Sequence, residues 1–387
     1  MRKVLIGGTF DIIHPGHLQL INQARQLGDR LIIVIARDRN VIKAKGRPPH
    51  FNEQKRLENL TNLLAKIGKL KNYQIILGDL ADPYQVVLKE KPQLVALGYD
   101  QQFFVNGLHD LVVNSDLACD IERLEPFKER TSKSKILKKA LADAVAGFLL
   151  INKPAGWTSF QVVAKLRSIT GLKKIGHTGT LDPLATGLLI CALGQATKLT
   201  AFFDILPKTY EAVIKLGVIS DTYDRTGKIT RVAAPSAKLT STPALVKIID
   251  SFLGKQQQLP PMFSAKKVGG RKLYELARQG QEITRRPANI EIYNIELMAG
   301  KIIDDQLKIK VQCSTGTYIR TLAHDLGQKM GSGAIIQELT RTAIGDFSVQ
   351  AAAELNNLDS RNFPKWLIRP LEAINLLNES YGRHVFG

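Results

Sequence analysis

The chain has little of what holds small secreted proteins together. Its 387 residues include three cysteines, Cys119, Cys191 and Cys313. They are widely scattered, with no CxxC pair and no histidine at metal-ligand spacing, which argues against a disulfide framework and against structural zinc. The simplest prediction is a reducing, cytoplasmic setting.

Long apolar runs are also missing. The first residues, MRKVLIGGTFD, reach an acidic side chain after a short apolar run, which is not the pattern of a signal peptide. The longest nearly uncharged stretch, residues 183–197, is too short and too rich in small polar residues to span a bilayer. We therefore expect no membrane contact.

Acidic residues are few compared with basic ones. The chain has 54 lysines and arginines against 35 aspartates and glutamates, a formal net charge of +19. Such an excess is the expected electrostatic footprint of a protein that meets a polyanion, although a protein that merely happens to be basic would show it too. Charge alone therefore indicates a direction, not a function.

The length predicts two domains, each large enough to bury a core, in a chain expected to be a monomer. In the first, predicted over residues 1–143, strand and helix signals alternate. The predicted strands are Val4–Ile6, Leu31–Ala36, Tyr73–Leu77 and Leu94–Leu97, with a helix over Glu53–Ile67. This alternation is typical of βαβ units, so we expect an α/β domain with a parallel, Rossmann-like sheet.

After Ala146 the strands become longer and alternate apolar with polar residues, as in Tyr210–Leu216 and Leu307–Cys313. This texture predicts an α+β domain with a mixed sheet, placed over residues 147–379. The residues after about Leu377 are predicted to form a loose tail.

A glycine-rich turn with two histidines, Gly7 to His17, follows the first predicted strand and opens the first helix. In an open α/β sheet this is the usual place for a ligand, and free N–H groups at a helix start favour phosphate. Histidines three residues apart could hold the charge that develops during phosphoryl-type transfer. A lone histidine at such a place is more often only a cap or a surface residue.

The whole string GGTFDIIHPGH resembles the signature of the cytidylyltransferase-like nucleotidyltransferases, and the run from Thr131 to Ile136 resembles their Ser/Thr-Lys loop. The resemblance implies that His14 and His17 are catalytic. The nucleotide-binding residues that it implies are Gly8, Thr9, Phe10, His14, Pro15, Gly16, His17, Asp100, Ser132 and Lys133. It also implies ATP or CTP as substrate, with Mg²⁺ bridging the phosphates.

The segments Lys43–Pro48 and Leu97–Gln101 look most like those of archaeal-type FAD synthetases, which adenylylate FMN. They also resemble those of glycerol-phosphate and sugar-phosphate cytidylyltransferases. Adenylyl transfer to FMN is the favoured expectation, and a cytidylyltransferase or a non-catalytic binding module are the alternatives.

The most specific stretch is GHTGTLDPLATGLL, from Gly176 to Leu189. One aspartate between small residues would normally be read as a turn carboxylate. The string as a whole, however, closely resembles the catalytic motif of the B-type tRNA pseudouridine synthases, the TruB family. Further matches run from about Gly147 to Ala373, although Thr340 stands where the family usually has arginine.

This second resemblance implies isomerisation of the T-loop uridine of tRNA, at position 55, without any cofactor. It implies Asp182 as the catalytic carboxylate, Arg320 held against it, and Tyr318 closing the pocket. The RNA-binding residues that it implies are His177, Tyr210, Lys153, Leu339 and Arg341. A whole-chain RNA-folding chaperone is the remaining alternative, which Asp182 and Arg320 weigh against.

Overall fold

The computed structural model of the chain describes residues 1–115, 117–127, 134–236, 239–264, 266–268, 270–281 and 283–386. The chain divides into two units. The first comprises Met1–Gly147 together with Ile368–Gly387, and the second comprises Phe148–Leu367. Residues 368–379, which the sequence placed in the second domain, cluster with the first unit instead. No helix in the described ranges is long and apolar enough to cross a bilayer.

The regular elements are numbered in chain order. The strands are β1 (Lys3–Gly8), β2 (Arg30–Ile35), β3 (Tyr73–Leu77), β4 (Leu94–Leu97), β5 (Asp120–Arg123), β6 (Gly147–Lys153), β7 (Ile175–Thr178), β8 (Thr186–Leu193), β9 (Lys208–Leu216), β10 (Val218–Ser220), β11 (Ile229–Arg231), β12 (Gly254–Gln258), β13 (Lys267–Val268), β14 (Arg271–Lys272), β15 (Ala288–Leu297), β16 (Gln306–Cys313), β17 (Ala334–Ile344), β18 (Phe347–Ser348) and β19 (Ala353–Glu354). The helices are α1 (Pro15–Arg25), α2 (Asp38–Lys45), α3 (Glu53–Ile67), α4 (Gln85–Glu90), α5 (Val105–Asn114), α6 (Ser134–Leu141), α7 (Ser159–Thr170), α8 (Thr200–Asp204), α9 (Thr242–Asp250), α10 (Leu273–Arg278), α11 (Ile319–Lys329) and α12 (Pro370–Phe386).

The first unit is built on a parallel sheet in the order β3-β2-β1-β4-β5. Its central strands are continuous apolar runs because both faces are covered, as parallel sheets require. The strand order reverses between β1 and β4, so the loops after these two strands border the crevice where such sheets bind ligands.

The predicted Rossmann-like sheet is therefore confirmed. The bounds of β3, β4 and α3 are those predicted from the hydrophobic pattern. The sequence analysis did not identify β5, whose residues are mostly exposed and give no buried apolar run.

The predicted loose tail is wrong. The residues after Leu377 form the second half of α12, and Ala373, Ile374, Leu377 and Tyr381 are buried along one helical face. This spacing of three and four residues is the pattern of an amphipathic helix. The contact with α3 is close, since a Cβ at Gly382 would lie 2.3 Å from the Ile67 side chain.

The second unit contains one large mixed sheet with the strand order β12-β15-β16-β9-β17-β8-β6-β19, with β18 paired to β17 and β7 paired to β8. Neighbours from β12 to β17 run antiparallel, whereas β17 and β8 run parallel. The buried face of β9, β16 and β17 packs with α11 in one apolar cluster. The expected mixed α+β fold is confirmed, and it brings the β7–β8 loop beside the start of α11.

Leu377→Ala should destabilise the first unit by about 2–5 kcal/mol, because the removed side chain is fully buried in α12 and leaves a cavity. Its neighbour Leu376, which is 41% exposed, provides the matched control. Leu376→Ala should change stability by no more than about 0.5 kcal/mol. Denaturant unfolding of the full chain measures both variants, and equal effects would show that α12 does not contribute a core face.

Two candidate active sites

Asp182 lies in the loop between β7 and β8, and its carboxylate meets a buried cation. Arg320, near the start of α11, places Nε 2.8 Å from Oδ2 of Asp182, and their side chains are 4% and 34% exposed respectively. The Arg320 guanidinium also donates to two backbone carbonyls, those of Thr222 at 3.1 Å and Phe263 at 2.8 Å. A buried guanidinium that is fixed by backbone carbonyls thus holds a carboxylate that is partly open to solvent.

A second carboxylate, that of Asp224, also lies near the Nε atom of Arg320. Its Oδ2 is 3.8 Å from Arg320 Nε, and its side chain is 4% exposed. Its Oδ1 accepts from the Thr222 hydroxyl at 2.8 Å and from the Thr226 amide at 2.9 Å. The sequence analysis missed Asp224, although a Gly-ended turn with two aspartates, residues 220–227, was a usable signal.

The residues that flank Asp182 are tied down by groups from the start of the second unit. The Ser159 hydroxyl donates to the carbonyl of Leu181 at 3.2 Å and accepts from its amide at 2.9 Å. The Lys153 ammonium donates to the carbonyls of Pro154, Trp157 and Pro183 at 2.9, 2.6 and 3.3 Å. Residues on both sides of Asp182 are thus fixed, which limits how far its carboxylate can move.

Arg341 fixes the backbone at the start of the loop that carries Asp182 and in the strand that follows this loop. It is buried on β17, where its Nε donates to the Leu188 carbonyl and its Nη2 to the Gly179 carbonyl, both at 2.8 Å. The pairing of β17 with β9 shifts register between Arg341 and Ala343, a bulge of the kind that re-aims side chains next to active sites. At Gly187 a Cβ would lie 2.3 Å from the Arg341 carbonyl oxygen, so the close approach of β8 to β17 requires glycine.

Three residues expected to contact RNA have other places in the structure. Lys153, Leu339 and Arg341 are buried, with exposures of 0%, 6% and 1%. Their contact with RNA stays a prediction. The side chains of Lys153 and Arg341 donate hydrogen bonds to backbone carbonyls. Leu339 belongs to the apolar cluster under the sheet.

Tyr210 and His177 are half-buried and lie close enough to Arg341 for its charge to affect their pKa values. Burial raises the pKa of the Tyr210 hydroxyl, a rise that the Arg341 guanidinium opposes and the Asp182 carboxylate supports. Burial, and then Arg341, lower the pKa of His177. The structure thus brings Tyr210 and His177 near the buried Arg341, and Asp182 within electrostatic range of Tyr210.

Tyr318 is the residue that precedes α11, two positions before Arg320. Its backbone is fixed by the buried side chain of Gln258, which accepts from the Tyr318 amide at 2.7 Å and donates to its carbonyl at 3.0 Å. The sequence analysis did not identify Gln258, because it lies 60 residues away from its partner.

In the first unit, the turn after β1 places Gly8 and Thr9 at the crevice. Phe10 has a positive φ of 47°, and its ring is fully buried against Gly8, where a Cβ would lie 2.9 Å from it. The predicted contact of Phe10 with a nucleotide stays a prediction. The ring packs beneath the turn and sets its course.

The two histidines of the turn stack on each other, with ring centroids 3.9 Å apart. Pro15 and Gly16 are the first residues of α1, and the backbone amide of His14 donates to Nδ1 of His17 at 3.3 Å. Burial, followed by Lys45, lowers the pKa of His17 to about 4, and burial lowers that of His14 well below its usual range. His17 is therefore neutral near pH 7, with Nδ1 as an acceptor and Nε2 as the N–H donor.

Two cations that the sequence analysis gave no role complete this turn. The Lys45 ammonium lies 2.8 Å from the Thr9 hydroxyl, and its burial lowers the pKa of this ammonium. Arg56 is fully buried in α3, where its Nη1 donates to the Thr9 carbonyl at 2.5 Å and its Nη2 to the Ala36 carbonyl at 2.7 Å. Arg56 thus fixes the backbone of the turn, and Lys45 leaves a positive charge on its open side.

The other expected nucleotide-binding residues have less support. Asp100 is exposed in the turn that follows β4, at the same edge of the sheet as Thr9. Ser132 and Lys133 lie outside the described residues.

The Asp11 carboxylate accepts from the amides of His50 and Phe51 and pairs with Lys138 at 2.8 Å. Among the described residues no group of three or more histidine, cysteine or acidic side chains could hold a metal ion.

Family models match three stretches of the chain. They describe the TruB family pseudouridylate synthase N-terminal domain over residues 167–319, the tRNA pseudouridylate synthase B C-terminal domain over residues 320–374, and a cytidylyltransferase-like domain over residues 5–154.

Known proteins resemble the second part of the chain. The tRNA pseudouridine synthase B of Geotalea uraniireducens is 46% identical over 237 residues, which cover 60% of this chain and 75% of that protein. That of Clostridium acetobutylicum is 47% identical over 222 residues, which cover 57% and 75%. A solved Cbf5-Nop10-Gar1 complex has 28% identity and a TM-score of 0.44, covering 59% of this chain and 57% of the matched chain.

Lys153 should make the stability of the second unit depend on pH. Its burial lowers the pKa of the ammonium from 10.5 to about 8, so between these values the unfolded chain binds a proton that the folded chain lacks. The free energy of unfolding should therefore rise with pH across this window, relative to Lys153→Met. Denaturant unfolding at several pH values measures this difference. The control is the same substitution at the exposed Lys165. A stability difference between the wild type and Lys153→Met that stays constant or falls as the pH rises would contradict the lowered pKa of Lys153.

Proposed function

Because the chain belongs to the TruB family of tRNA pseudouridine synthases, we propose that Asp182 carries out its chemistry on the T-loop uridine of tRNA at position 55. The single observation that carries this proposal is the ion pair between Asp182 and the buried Arg320. The family resemblance of each part, as predicted from the motifs, is confirmed.

The reaction is an isomerisation that gains and loses no atoms. The bond between N1 of the base and C1′ of the sugar breaks, and a bond between C5 and C1′ forms after the base has turned. C5 loses a proton and N1 gains one. A carboxylate at the sugar supplies the chemistry, either by covalent attack or by promoting elimination, so no cofactor takes part.

Arg320 supports this role by pairing its guanidinium with the Asp182 carboxylate, which is 34% exposed. Its charge is divided between Asp182 and the more deeply buried Asp224, whose Oδ1 is already hydrogen-bonded to Thr222 and Thr226. Asp224 therefore fixes the guanidinium, and Asp182 remains the carboxylate with access to a substrate. A planar guanidinium suits this bridging position, which an ammonium could not reproduce.

The substrate uridine lies within the folded T-loop and has to be flipped out of its stack before it can reach Asp182. We infer that Tyr210 stacks on the flipped base, that Tyr318 closes the pocket, and that His177 helps to displace the base. The half-buried positions of Tyr210 and His177 beside Arg341 support these roles. The net charge of +19 suits tRNA, a polyanion recognised largely by shape and backbone.

Asp182→Asn should abolish pseudouridine formation, because the carboxamide keeps the shape and loses the nucleophile. Binding of tRNA should stay within a few-fold of the wild type. A tritium-release or mass-spectrometric assay on unmodified tRNA measures turnover, and a filter-binding assay measures affinity. The exposed Asp250 on α9 gives the control, and Asp250→Asn should leave turnover unchanged. Appreciable turnover by Asp182→Asn would remove Asp182 from its proposed role.

We further propose that the first unit is an active nucleotidyltransferase that takes Mg·ATP as substrate. The N-terminus of α1, the neutral His17 and the Lys45 ammonium lie at the turn after β1. The Nε2–H of His17 donates to the phosphate as its charge develops, and Lys45 offsets the charge of the departing pyrophosphate. The Asp11 carboxylate is already engaged, so it would not hold the Mg²⁺ ion, which would supply positive charge at the phosphates.

FMN is the first acceptor to test. The choice rests on the resemblance of Lys43–Pro48 and Leu97–Gln101 to FAD synthetases, which is an argument from analogy. The position of Lys45 on the open side of the crevice supports a phosphorylated acceptor, since an ammonium there attracts a second phosphate. Glycerol phosphate and a sugar phosphate, with CTP, form the alternative set.

His17→Ala should reduce pyrophosphate release by about 10²-fold or more, because it removes a preorganised donor to the transferring phosphate. Pseudouridine formation by the same variant should be unchanged. The control is His109→Ala, which changes an exposed histidine on α5. Release from CTP with glycerol phosphate, and none from ATP with FMN, would replace the acceptor and keep the reaction class. No release with any nucleotide would favour a binding module.

A further inference from the structure

The C-terminal helix α12 carries a buried asparagine that contacts the histidine turn of the first unit. The Asn378 side chain is 1% exposed, and its Nδ2 donates to the backbone carbonyl of Ile13 at 2.9 Å. The two residues are 365 positions apart in the chain. Ile13 directly precedes His14, so this hydrogen bond fixes the last peptide before the proposed catalytic pair.

The other side-chain hydrogen bonds that fix this turn are made at residues further from His14 and His17. Arg56 holds the Thr9 carbonyl, and the Asp11 carboxylate binds the amides of His50 and Phe51. Ile13 lies between Asp11 and the start of α1, and its backbone carbonyl accepts the hydrogen bond from Asn378. A buried carbonyl without a partner is costly, so loss of the amide donor would favour a different path for this peptide.

The rest of α12 holds the same part of the unit. The Tyr381 hydroxyl lies 3.2 Å from the Gln19 side-chain oxygen on α1, and Arg25 of α1 lies over the ring of Phe386 at 5.4 Å. Near its C-terminal end the helix contacts α3 through Gly382. Asn378 is therefore presented to the turn from a helix that is itself anchored along α1.

We propose that α12 is a working part of the nucleotidyltransferase unit, and that Asn378 is a positioning residue for His14 and His17. The helix follows the synthase sequence in the chain, yet it serves the other activity. The effect on transfer rests on the proposed function of the first unit, whereas the effect on the order of the turn does not. Misplacing reacting groups by a fraction of an ångström lowers turnover without removing the substrate site.

The test uses the full chain with Asn378→Ala and Asn378→Asp. The alanine removes both the donor and the packing, whereas the aspartate keeps the shape, replaces the amide donor and adds a buried carboxyl group. An effect that the two variants share therefore comes from the loss of the amide donor. The matched control is Tyr381→Phe, which removes a hydrogen bond of the same helix to a side chain rather than to the turn. Asn375→Ala changes an exposed asparagine of α12 and reports the effect of substitution alone.

Hydrogen–deuterium exchange of the segment 12–20 reports the order of the turn without any substrate. The amides of His17 and Leu18, which both bond to the His14 carbonyl, should exchange several-fold faster in both Asn378 variants. They should exchange at the wild-type rate in Tyr381→Phe and Asn375→Ala. Equal exchange in all four variants would overturn the proposal.

Kinetics of pyrophosphate release then separate positioning from general damage. Asn378→Asp should lower kcat about tenfold or more, with KM for the nucleotide within a few-fold, whereas Tyr381→Phe should change neither. A fall that tracks only the thermal unfolding temperature across all variants would overturn the positioning role. If the wild type transfers no nucleotide, the proposed function fails, and exchange of the turn still decides whether Asn378 orders it.

Discussion

The second unit depends on how the positive charge of one buried side chain, Arg320, is neutralised. Burying an arginine is costly unless its charge and its donors are all satisfied. Arg320 has two carboxylates beside it and donates from its two terminal nitrogens to two backbone carbonyls, and these groups come from three separate loops. Its Nε has ion-pair partners but no hydrogen-bond partner among the described residues. The same contacts fix where the loops lie, so the requirement to neutralise one side chain also determines the place of Asp182. Removal of either carboxylate would leave the other to balance the charge alone.

The two units solve a related problem in the same way. Each carries a functional turn whose backbone carbonyl is held from beneath by a fully buried arginine. Arg56 holds Thr9, and Arg341 holds Gly179. In both cases the arginine belongs to a regular element, α3 or β17, so a rigid element sets the position of a loop. Preorganisation of this kind is what catalysis by fixed charges and donors requires.

The sequence was informative where the signal was local. Hydrophobic periodicity placed β3, β4 and α3 at their observed bounds, and the strings around His17 and Asp182 identified both families. It was less informative where a residue's contacts depend on distant partners. Lys153 and Arg341 look like surface cations that could bind RNA, but their partners lie in loops that only the folded sheet brings near. Asp224 was overlooked for the same reason, because a turn carboxylate acquires its role only when Arg320 approaches it.

The chain order of the two units has a consequence for folding. The second unit is a continuous segment, Phe148–Leu367, so it holds all its own strands before the last residues are made. The first unit lacks α12 until the second unit has been made, because its remaining segment follows that unit. Domains generally fold as units from the N-terminus during synthesis, and long-range contacts form late. The contact between Asn378 and Ile13 can therefore form only after the second unit has been made, and it joins the histidine turn to the segment that follows that unit.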